Sequence, residues 1–153
     1  LQNQIDYIDG ASLILNQFLE GDLLSGRGRA YGAEFYLKKN RGAINGWISY
    51  TLARTERQVV GINGGEWFDS RFDRRHTLNA VLLYDPPKAK RWNFSATFAL
   101  ASGTPATFPS NRFVYDGYVA QVVGARNNVR IPLYHRLDLA ATLQAKRGLF
   151  RRG

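Results

Sequence analysis

The sequence predicts an all-β protein in which antiparallel, up-and-down strands form one sector of a transmembrane β-barrel. Five segments alternate apolar and polar residues with a period of two, which is typical of a strand with one apolar and one polar face. Each segment has about ten residues or more, whereas strands of soluble proteins usually have roughly 5–6. The connections between the segments alternate between short turns and long polar stretches.

The predicted strands follow one another along the chain. A weak alternation marks a first strand over residues 2–9, and the five clear segments cover residues 29–39, 43–54, 73–84, 92–101 and 134–145. A strand of about 9–11 residues, tilted by about 45°, crosses the hydrocarbon core of a bilayer. Backbone groups in lipid must all be paired, so such a sheet has to close into a barrel. About six strands therefore predict one sector of a larger barrel.

The connections support the same prediction. Short turns are expected at 40–42 and 85–91, and long polar segments at 10–28, 55–72 and 103–133. Loops above about 15 residues are uncommon in compact soluble domains. Short turns on one side and long loops on the other are typical of outer-membrane barrels, so we expect the protein in the outer membrane of a bacterial cell.

Aromatic residues at both ends of the apolar face predict where the membrane surfaces lie. Tyr84 and Trp92 bracket one short turn, and Tyr31 and Tyr50 lie toward the long loops. Such girdles are expected at the interfaces of a barrel with water. A β-sandwich also alternates, but the strand length and the small polar second face favour the barrel.

Composition excludes several classes of protein. The 153 residues include no cysteine, which excludes disulfides and cysteine-based zinc sites, and no methionine, which leads us to interpret the sequence as a fragment. No run of 18 apolar residues exists that would predict a transmembrane helix. The net charge of +9 would suit nucleic acid. However, the basic residues are spread over several turns rather than clustered on one face, so we predict no nucleic-acid partner.

Five residue blocks occur in order along the chain: GRGRAYGAE at 26–34, KNRG at 39–42, GWISYT at 46–51, DRRH at 73–76 and SGTPAT at 102–107. Together they resemble the late barrel strands of TonB-dependent outer-membrane receptors. They are most similar to the Bacteroidetes type, which includes the SusC-like and carboxypeptidase-regulatory-domain receptors. The resemblance covers about residues 26–145.

The resemblance implies a 22-stranded barrel with an N-terminal plug. Residues 1–153 would then be a piece of the C-terminal barrel domain, with the plug and the last strands outside it. Such receptors import a scarce or bulky solute, such as an iron chelate, a cofactor or a glycan, with energy delivered through TonB. The implied partners are outer-membrane lipid, the protein's own plug domain, TonB and a surface lipoprotein. We expect no enzymatic activity and no bound cofactor.

Several residues are candidates for contact with the solute or the plug. Glu34 lies on the polar face, where it can pair with Arg54 across the hairpin or belong to a hydrogen-bond network of the lumen wall. Trp47 shares the polar face and would stack on a sugar or pack against the plug. The aromatic residues of the long loops would line an extracellular mouth, because loops on a rigid scaffold commonly carry binding; they include Trp67, Phe108 and Tyr115.

Titratable residues give no catalytic pattern. His76 and His135 each begin a strand, where a polar rim explains them better than a metal site. Asp69 and Asp73 lie beside Arg71, Arg74 and Arg75, so we expect ion pairs there. Two other functions stay open at this point: another outer-membrane barrel, such as a porin or adhesin, and a soluble basic β-domain that binds glycan or nucleic acid.

Overall fold

The computed structural model describes residues 4–7, 23–115 and 117–144. Within these ranges the chain forms strands joined by turns and one short 3₁₀ turn at Asn63–Gly65, and no helix there is long and apolar enough to cross a membrane. The predicted all-β, antiparallel fold is confirmed. The strands are β1 (Gln4–Tyr7), β2 (Leu23–Lys39), β3 (Ile44–Val59), β4 (Phe68–Asp69), β5 (His76–Tyr84), β6 (Trp92–Ala101), β7 (Pro105–Ala106), β8 (Pro109–Tyr115), β9 (Tyr118–Val123), β10 (Val129–Arg130) and β11 (Tyr134–Leu143).

The main sheet follows chain order. Its strands are arranged β1-β2-β3-β5-β6-β11, and β4 pairs with β3. Two small antiparallel sheets, β7 with β10 and β8 with β9, are formed within the last long segment. The described part of the main sheet is open, with β1 and β11 at its edges. Six principal strands agree with the predicted number.

The predicted boundaries were wrong at four places. β2 begins six residues earlier than expected, at Leu23, because β1 pairs with residues 23–26. β3 continues to Val59 because β4 pairs with its end. The segment 103–133 is not one loop, since it contains β7 to β10. We did not predict β7 to β10 because this segment is polar and rich in glycine. The strand predicted from residue 73 begins at His76, because residues 70–73 form a turn in which Asp73 N donates to Ser70 O at 2.8 Å.

The contacts divide the chain into two compact units, which we describe separately. The meander unit comprises Ala33–Leu52, His76–Ser102 and Leu133–Gly153. The loop unit comprises Leu1–Gly32, Ala53–Arg75 and Gly103–Pro132.

The register of the meander unit places apolar residues opposite one another on every strand pair. Leu82 faces Ala96, which faces Leu139 on the next strand. Ile48 faces Ala80 in the same way. Twelve large side chains on this side are 40–74% exposed, whereas Tyr50, Leu78, Phe98 and Leu100 in the same rows are partly buried. We call the twelve exposed side chains the apolar face: Phe35, Leu37, Ile44, Ile48, Leu52, Leu82, Tyr84, Trp92, Phe94, Leu137, Leu139 and Leu143.

The opposite side of the meander unit carries smaller and more polar residues, and we call it the polar face. Thr97 lies between Val81 and Asp138, and Asn93 lies opposite Thr142. Gln144 Nε2 donates to Asn93 Oδ1 at 3.1 Å, and Arg136 pairs with Asp138 at 2.8 Å. The predicted alternation is therefore present in the pairing of the strands.

The loop unit has a small apolar core. Val59, Ile62 and Phe68 are buried, and Leu24 packs against them partly buried. These are the only large apolar side chains that are buried in the described part of the chain. A core of this size supplies little hydrophobic stabilisation, so polar contacts must hold much of the loop unit together.

A close approach of two backbone segments in the loop unit requires glycine at position 103. A Cβ atom there would overlap the carbonyl oxygen of Ile131 and approach that of Pro132. We expect Gly103→Ala to lower the local free energy of unfolding by about 1–3 kcal/mol, since backbone must move to make room. Hydrogen exchange of peptides covering 125–133 in the full-length protein measures this loss. Gly28→Ala is the matched control, because its nearest neighbour is the flexible Gln4 side chain at 3.2 Å. Equal exchange in both variants would contradict the assignment.

Candidate functional site

A carboxylate held by two arginines lies where β2 and β3 run side by side in the loop unit. Glu56 is only 3% exposed, and its Oε2 atom accepts from Arg29 Nε at 2.7 Å. Its Oε1 atom lies 3.0 Å from the Arg54 guanidinium, and Tyr31 donates to Oε2 at 3.2 Å. Residues two apart on a strand share a face, which is why Arg29 and Tyr31 reach Glu56 together. Both carboxylate oxygens are therefore engaged.

The ion pairs change the protonation of Glu56. The hydrogen bond from Arg29 holds the pKa of Glu56 below its ordinary value, although burial opposes this change. The same bond raises the pKa of Arg29. Glu56 thus remains ionised in the folded protein under conditions in which an unfolded glutamate takes up a proton.

The lowered pKa predicts a loss of stability in acid. The contribution of Glu56 is fully present above the ordinary pKa of 4.5. It is lost as the pH falls through the lower pKa of the folded state, because the unfolded chain binds the proton more tightly. We expect the urea midpoint of the loop unit to fall between pH 6 and pH 3, and to fall less in Glu56→Gln. Hydrogen exchange of peptides over 53–60 at each urea concentration reports this midpoint. An identical acid response in the variant would disprove the role of Glu56.

A second cluster surrounds a fully buried aspartate. Asp73 accepts from Thr55 N and from Arg130 NH2, each at 2.6 Å. Arg130 NH1 donates to the carbonyl oxygen of Gly103 at 2.8 Å. Arg130 therefore joins the start of the last long segment to the turn before β5.

Asp69 connects this cluster to Glu56 and its arginines. Its Oδ2 atom lies 2.7 Å from Arg130 NH2 and 3.5 Å from Arg75 NH2. Its Oδ1 atom lies 3.4 Å from Arg54 Nε. The result is one continuous network of arginines and carboxylates within the loop unit.

A third cluster ties β1 to the last long segment. Asp6 pairs with Arg126 at 2.9 Å and with Arg57 at 3.4 Å. The Asn63 side chain fixes the backbone of Arg126, accepting from its N–H at 2.6 Å and donating to its carbonyl oxygen at 3.1 Å. Segments more than 100 residues apart in sequence are thereby held together.

The expected pairing of Glu34 with Arg54 was wrong. Arg54 contacts Glu56 and Asp69. Arg54 and Glu56 both occupy even positions of β3 and so share a face, whereas Glu34 points to the opposite side of β2 from Arg29 and Tyr31. Glu34 makes no ion pair with the residues that the structure describes.

The predicted ion pairs of Asp69 and Asp73 are present with partly different partners. Arg75 contacts Asp69, and its Nε atom lies 3.9 Å from Asp73. Arg71 instead lies over the ring of Phe72, with its guanidinium carbon 4.6 Å from the centroid. No group of three histidine, aspartate or glutamate side chains that could hold a metal ion occurs in residues 4–7, 23–115 and 117–144.

The aromatic residues that we predicted to contact the solute or the plug have different surroundings. Trp47 packs against Tyr36 on the polar face, with ring centroids 6.1 Å apart. Trp67 lies under the Arg29 guanidinium, whose carbon is 4.2 Å from the ring centroid. Phe108 is half-exposed, and the side chain of Asn128 binds its backbone on both sides. The side chain of Tyr115 lies outside the described residues.

The predicted girdle aromatics contact other rings or polar groups. The ring of Phe94 stacks on both Tyr84 and Trp92, at centroid distances of 6.3 and 5.9 Å. Tyr50 stacks on Phe35 at 6.4 Å. Its hydroxyl lies 2.8 Å from Nδ1 of His76. The remaining girdle residue, Tyr31, bonds Glu56 in the loop unit.

Sequence reasoning did not find the main arginine network. The alternation of Arg27 with Arg29 in β2, and of Arg54 with Glu56 in β3, is a signal that two charged rows would share a face. No comparable signal exists for Arg130, which is 57 residues from its aspartate partner.

Comparison with known proteins gives no identification. The sequence matches no protein-family model and no curated protein, and the structure matches no solved structure. The residue blocks and the chemistry of the two faces are therefore the basis for assigning a function.

Proposed function

We propose that the chain is a sector of a larger outer-membrane β-barrel, and that this barrel is a TonB-dependent receptor. It would import a scarce or bulky solute across the outer membrane. The observation that carries the proposal is the apolar face, whose twelve large side chains are 40–74% exposed while the strands beneath them pair in register.

Lipid is the cover that best suits this face. The largest exposed apolar patch of a typical soluble monomer measures about 300–600 Å², and a larger one marks a contact with protein or membrane. In a soluble β-sandwich one face would be buried in a core. Among the described residues, the meander unit buries no apolar side chain fully, and the three that are buried lie in the loop unit. A bilayer would remove the apolar face from water without a second layer of protein.

The polar face fits the water-filled interior of a barrel. Lumen-facing positions of such barrels are polar and alternate with lipid-facing ones. Thr97, Asn79 and Ser49 occupy these positions on β6, β5 and β3. In this arrangement β3 crosses the bilayer with residues 44–52, β5 with 76–84 and β6 with 92–101. Glu56 and the arginine network lie outside these spans.

Receptor function is supported by the residue blocks at 26–34, 39–42, 46–51, 73–76 and 102–107, which resemble TonB-dependent receptors. In such a receptor the lumen holds a plug, and the pair Tyr36 and Trp47 supplies an apolar surface for it or for a solute. In a receptor of this kind the long polar segments predicted from the sequence would be extracellular. Trp67 and Phe108 would then lie near arriving solute.

Cell fractionation and uptake measurements test the two parts of the proposal. We expect the full-length protein in the outer-membrane fraction of its bacterium. Growth on one member of a panel of iron chelates, corrinoid cofactors and glycans should require both this protein and TonB. Recovery in the soluble fraction would contradict the barrel. Uptake that continues without TonB would contradict the receptor and indicate a passive porin.

A further inference from the structure

Two basic turns lie side by side at one end of the meander unit. The first joins β2 to β3 and the second joins β5 to β6. Asp85 N donates to the carbonyl oxygen of Ala43 at 2.8 Å, so the start of the second turn lies beside the end of the first. Residues 38–42 and 85–91 contain six cationic side chains and one carboxylate. We call the cations the basic turn cluster: Lys38, Lys39, Arg41, Lys88, Lys90 and Arg91.

The charge of the basic turn cluster is not neutralised within the described part of the chain. All six side chains are exposed, and none forms an ion pair with a described residue. The carboxylate of Asp85 accepts instead from the Asn93 side chain. Arg91 Nε donates to the carbonyl oxygen of Gln144 at 2.9 Å, which leaves its charge unpaired. A positive potential is therefore expected at this end of the meander unit.

Internal hydrogen bonds fix the backbone of both turns. Ala89 N donates to the carbonyl oxygen of Pro86 at 3.2 Å, and Trp92 N donates to that of Ala89 at 2.9 Å. In the first turn, the Asn45 side chain donates to the carbonyl oxygen of Gly42 at 2.9 Å. The cations thus extend from defined backbone positions, while the flexible lysine side chains can adjust to a partner.

The residue types in the basic turn cluster favour a flexible polymer of carboxylates as the partner. Four of the six cations are lysines, each a hydrated point charge, whereas arginine is preferred where phosphate is bound by two parallel hydrogen bonds. The centres of protein–protein interfaces are depleted in lysine and rich in aromatic residues. Residues 38–42 and 85–91 contain no aromatic residue. Repeated carboxylates on one polymer would instead engage several lysines at once, so that weak contacts add together.

We propose that the basic turn cluster binds the carboxylates of peptidoglycan. The inference rests on the proposed function, because the short turns of an outer-membrane barrel face the periplasm. Peptidoglycan lies in that compartment, and its peptide stems carry free carboxylates repeatedly along the polymer. This contact would tether the barrel to the cell wall at the ends of its short turns.

Cosedimentation of the purified full-length protein with peptidoglycan sacculi tests the proposal. The protein is kept in neutral detergent micelles, and the sacculi are either untreated or have their carboxylates converted to amides. We expect binding to untreated sacculi that declines as salt is added, because salt screens exposed charges. Amidated sacculi should bind little protein. The variant with both Lys88→Gln and Lys90→Gln should bind untreated sacculi about fivefold more weakly, since each exposed charge contact contributes modestly.

Arg74→Gln combined with Arg112→Gln is the matched control. Both arginines are exposed, belong to the loop unit and form no ion pair with the described residues. This variant loses the same charge and should bind like the unchanged protein. Equal binding of amidated and untreated sacculi, or unchanged binding by the lysine variant, would overturn the proposal. Loss of binding when anionic phospholipid is added to the micelles would also overturn it, because the cluster would then prefer lipid headgroups.

This inference and the proposed function can fail separately. A protein that is recovered in the outer-membrane fraction but does not bind sacculi refutes only the peptidoglycan contact. A protein that is recovered in the soluble fraction refutes the barrel itself, whatever it binds.

Discussion

Replacing Ala96 with arginine is expected to keep the full-length protein out of the outer membrane, whereas the same change at Thr97 should be tolerated. The two residues are neighbours on β6 and point to opposite faces. Ala96 lies between Leu82 and Leu139 on the apolar face. An arginine facing lipid near the bilayer midplane costs about 2–4 kcal/mol. Thr97 lies between Val81 and Asp138, so an arginine there would face the water-filled interior of the proposed barrel and have a carboxylate nearby.

The measurement is the fraction of protein assembled in the outer membrane, judged by resistance to unfolding in cold detergent and by protection from added protease. We expect most of Ala96→Arg to be degraded or unassembled and most of Thr97→Arg to assemble. Assembly of both variants at the normal level would mean that no lipid contacts the apolar face. Failure of both would mean that tight packing, rather than lipid, limits β6.

The second large effect is expected from Arg130→Met. Asp73 is fully buried, and its strongest partner would be removed while the carboxylate stays in place. Breaking a buried ion pair by removing one partner costs about 3–5 kcal/mol. We therefore expect the loop unit to unfold at a much lower urea concentration, as measured by hydrogen exchange of peptides over 68–75.

Adding Asp73→Asn to Arg130→Met provides the control. The amide oxygen of asparagine can still accept from Thr55 N, and no buried charge remains. The double variant should recover part of the lost stability, since the two residues are coupled. If the double variant loses as much free energy of unfolding as the two single variants added together, the ion pair with Asp73 is not the stabilising contribution of Arg130.

Strand periodicity predicted β5, β6 and β11 to within a few residues because both of their faces are chemically distinct over their whole length. The same reasoning predicted that β3 ends at residue 54. Its apolar row continues with the polar residues Arg54, Glu56 and Gln58, so the alternation is lost there and the segment resembles a loop. The pairing with β4 shows that this part is extended. Likewise, the prolines that begin β7 and β8 concealed both strands.

The candidate site was less accessible to prediction than the fold. Two residues of neighbouring strands can form an ion pair only if their side chains lie on the same face of the sheet. Glu34 and Arg54 lie on opposite faces, so the contact predicted between them was wrong. Contacts such as Arg126 with Asp6 join residues 120 positions apart, for which a single sequence gives no signal. Ion pairs do not recur at a fixed spacing, so they leave no pattern in the sequence comparable to the alternation of apolar and polar residues.

The edge of β11 that the described residues leave unpaired would, in the proposed membrane location, limit the route by which the protein inserts. In the described part of the chain, β11 pairs on one side only, with β6. Each backbone group left unbonded in hydrocarbon carries a penalty of several kcal/mol. Under the proposal, the bilayer would reject a sheet with an unpaired edge, so this edge would have to be paired before release. Biogenesis should accordingly depend on assembly machinery that shields this edge, and partially built intermediates should accumulate in the periplasm when that machinery is depleted.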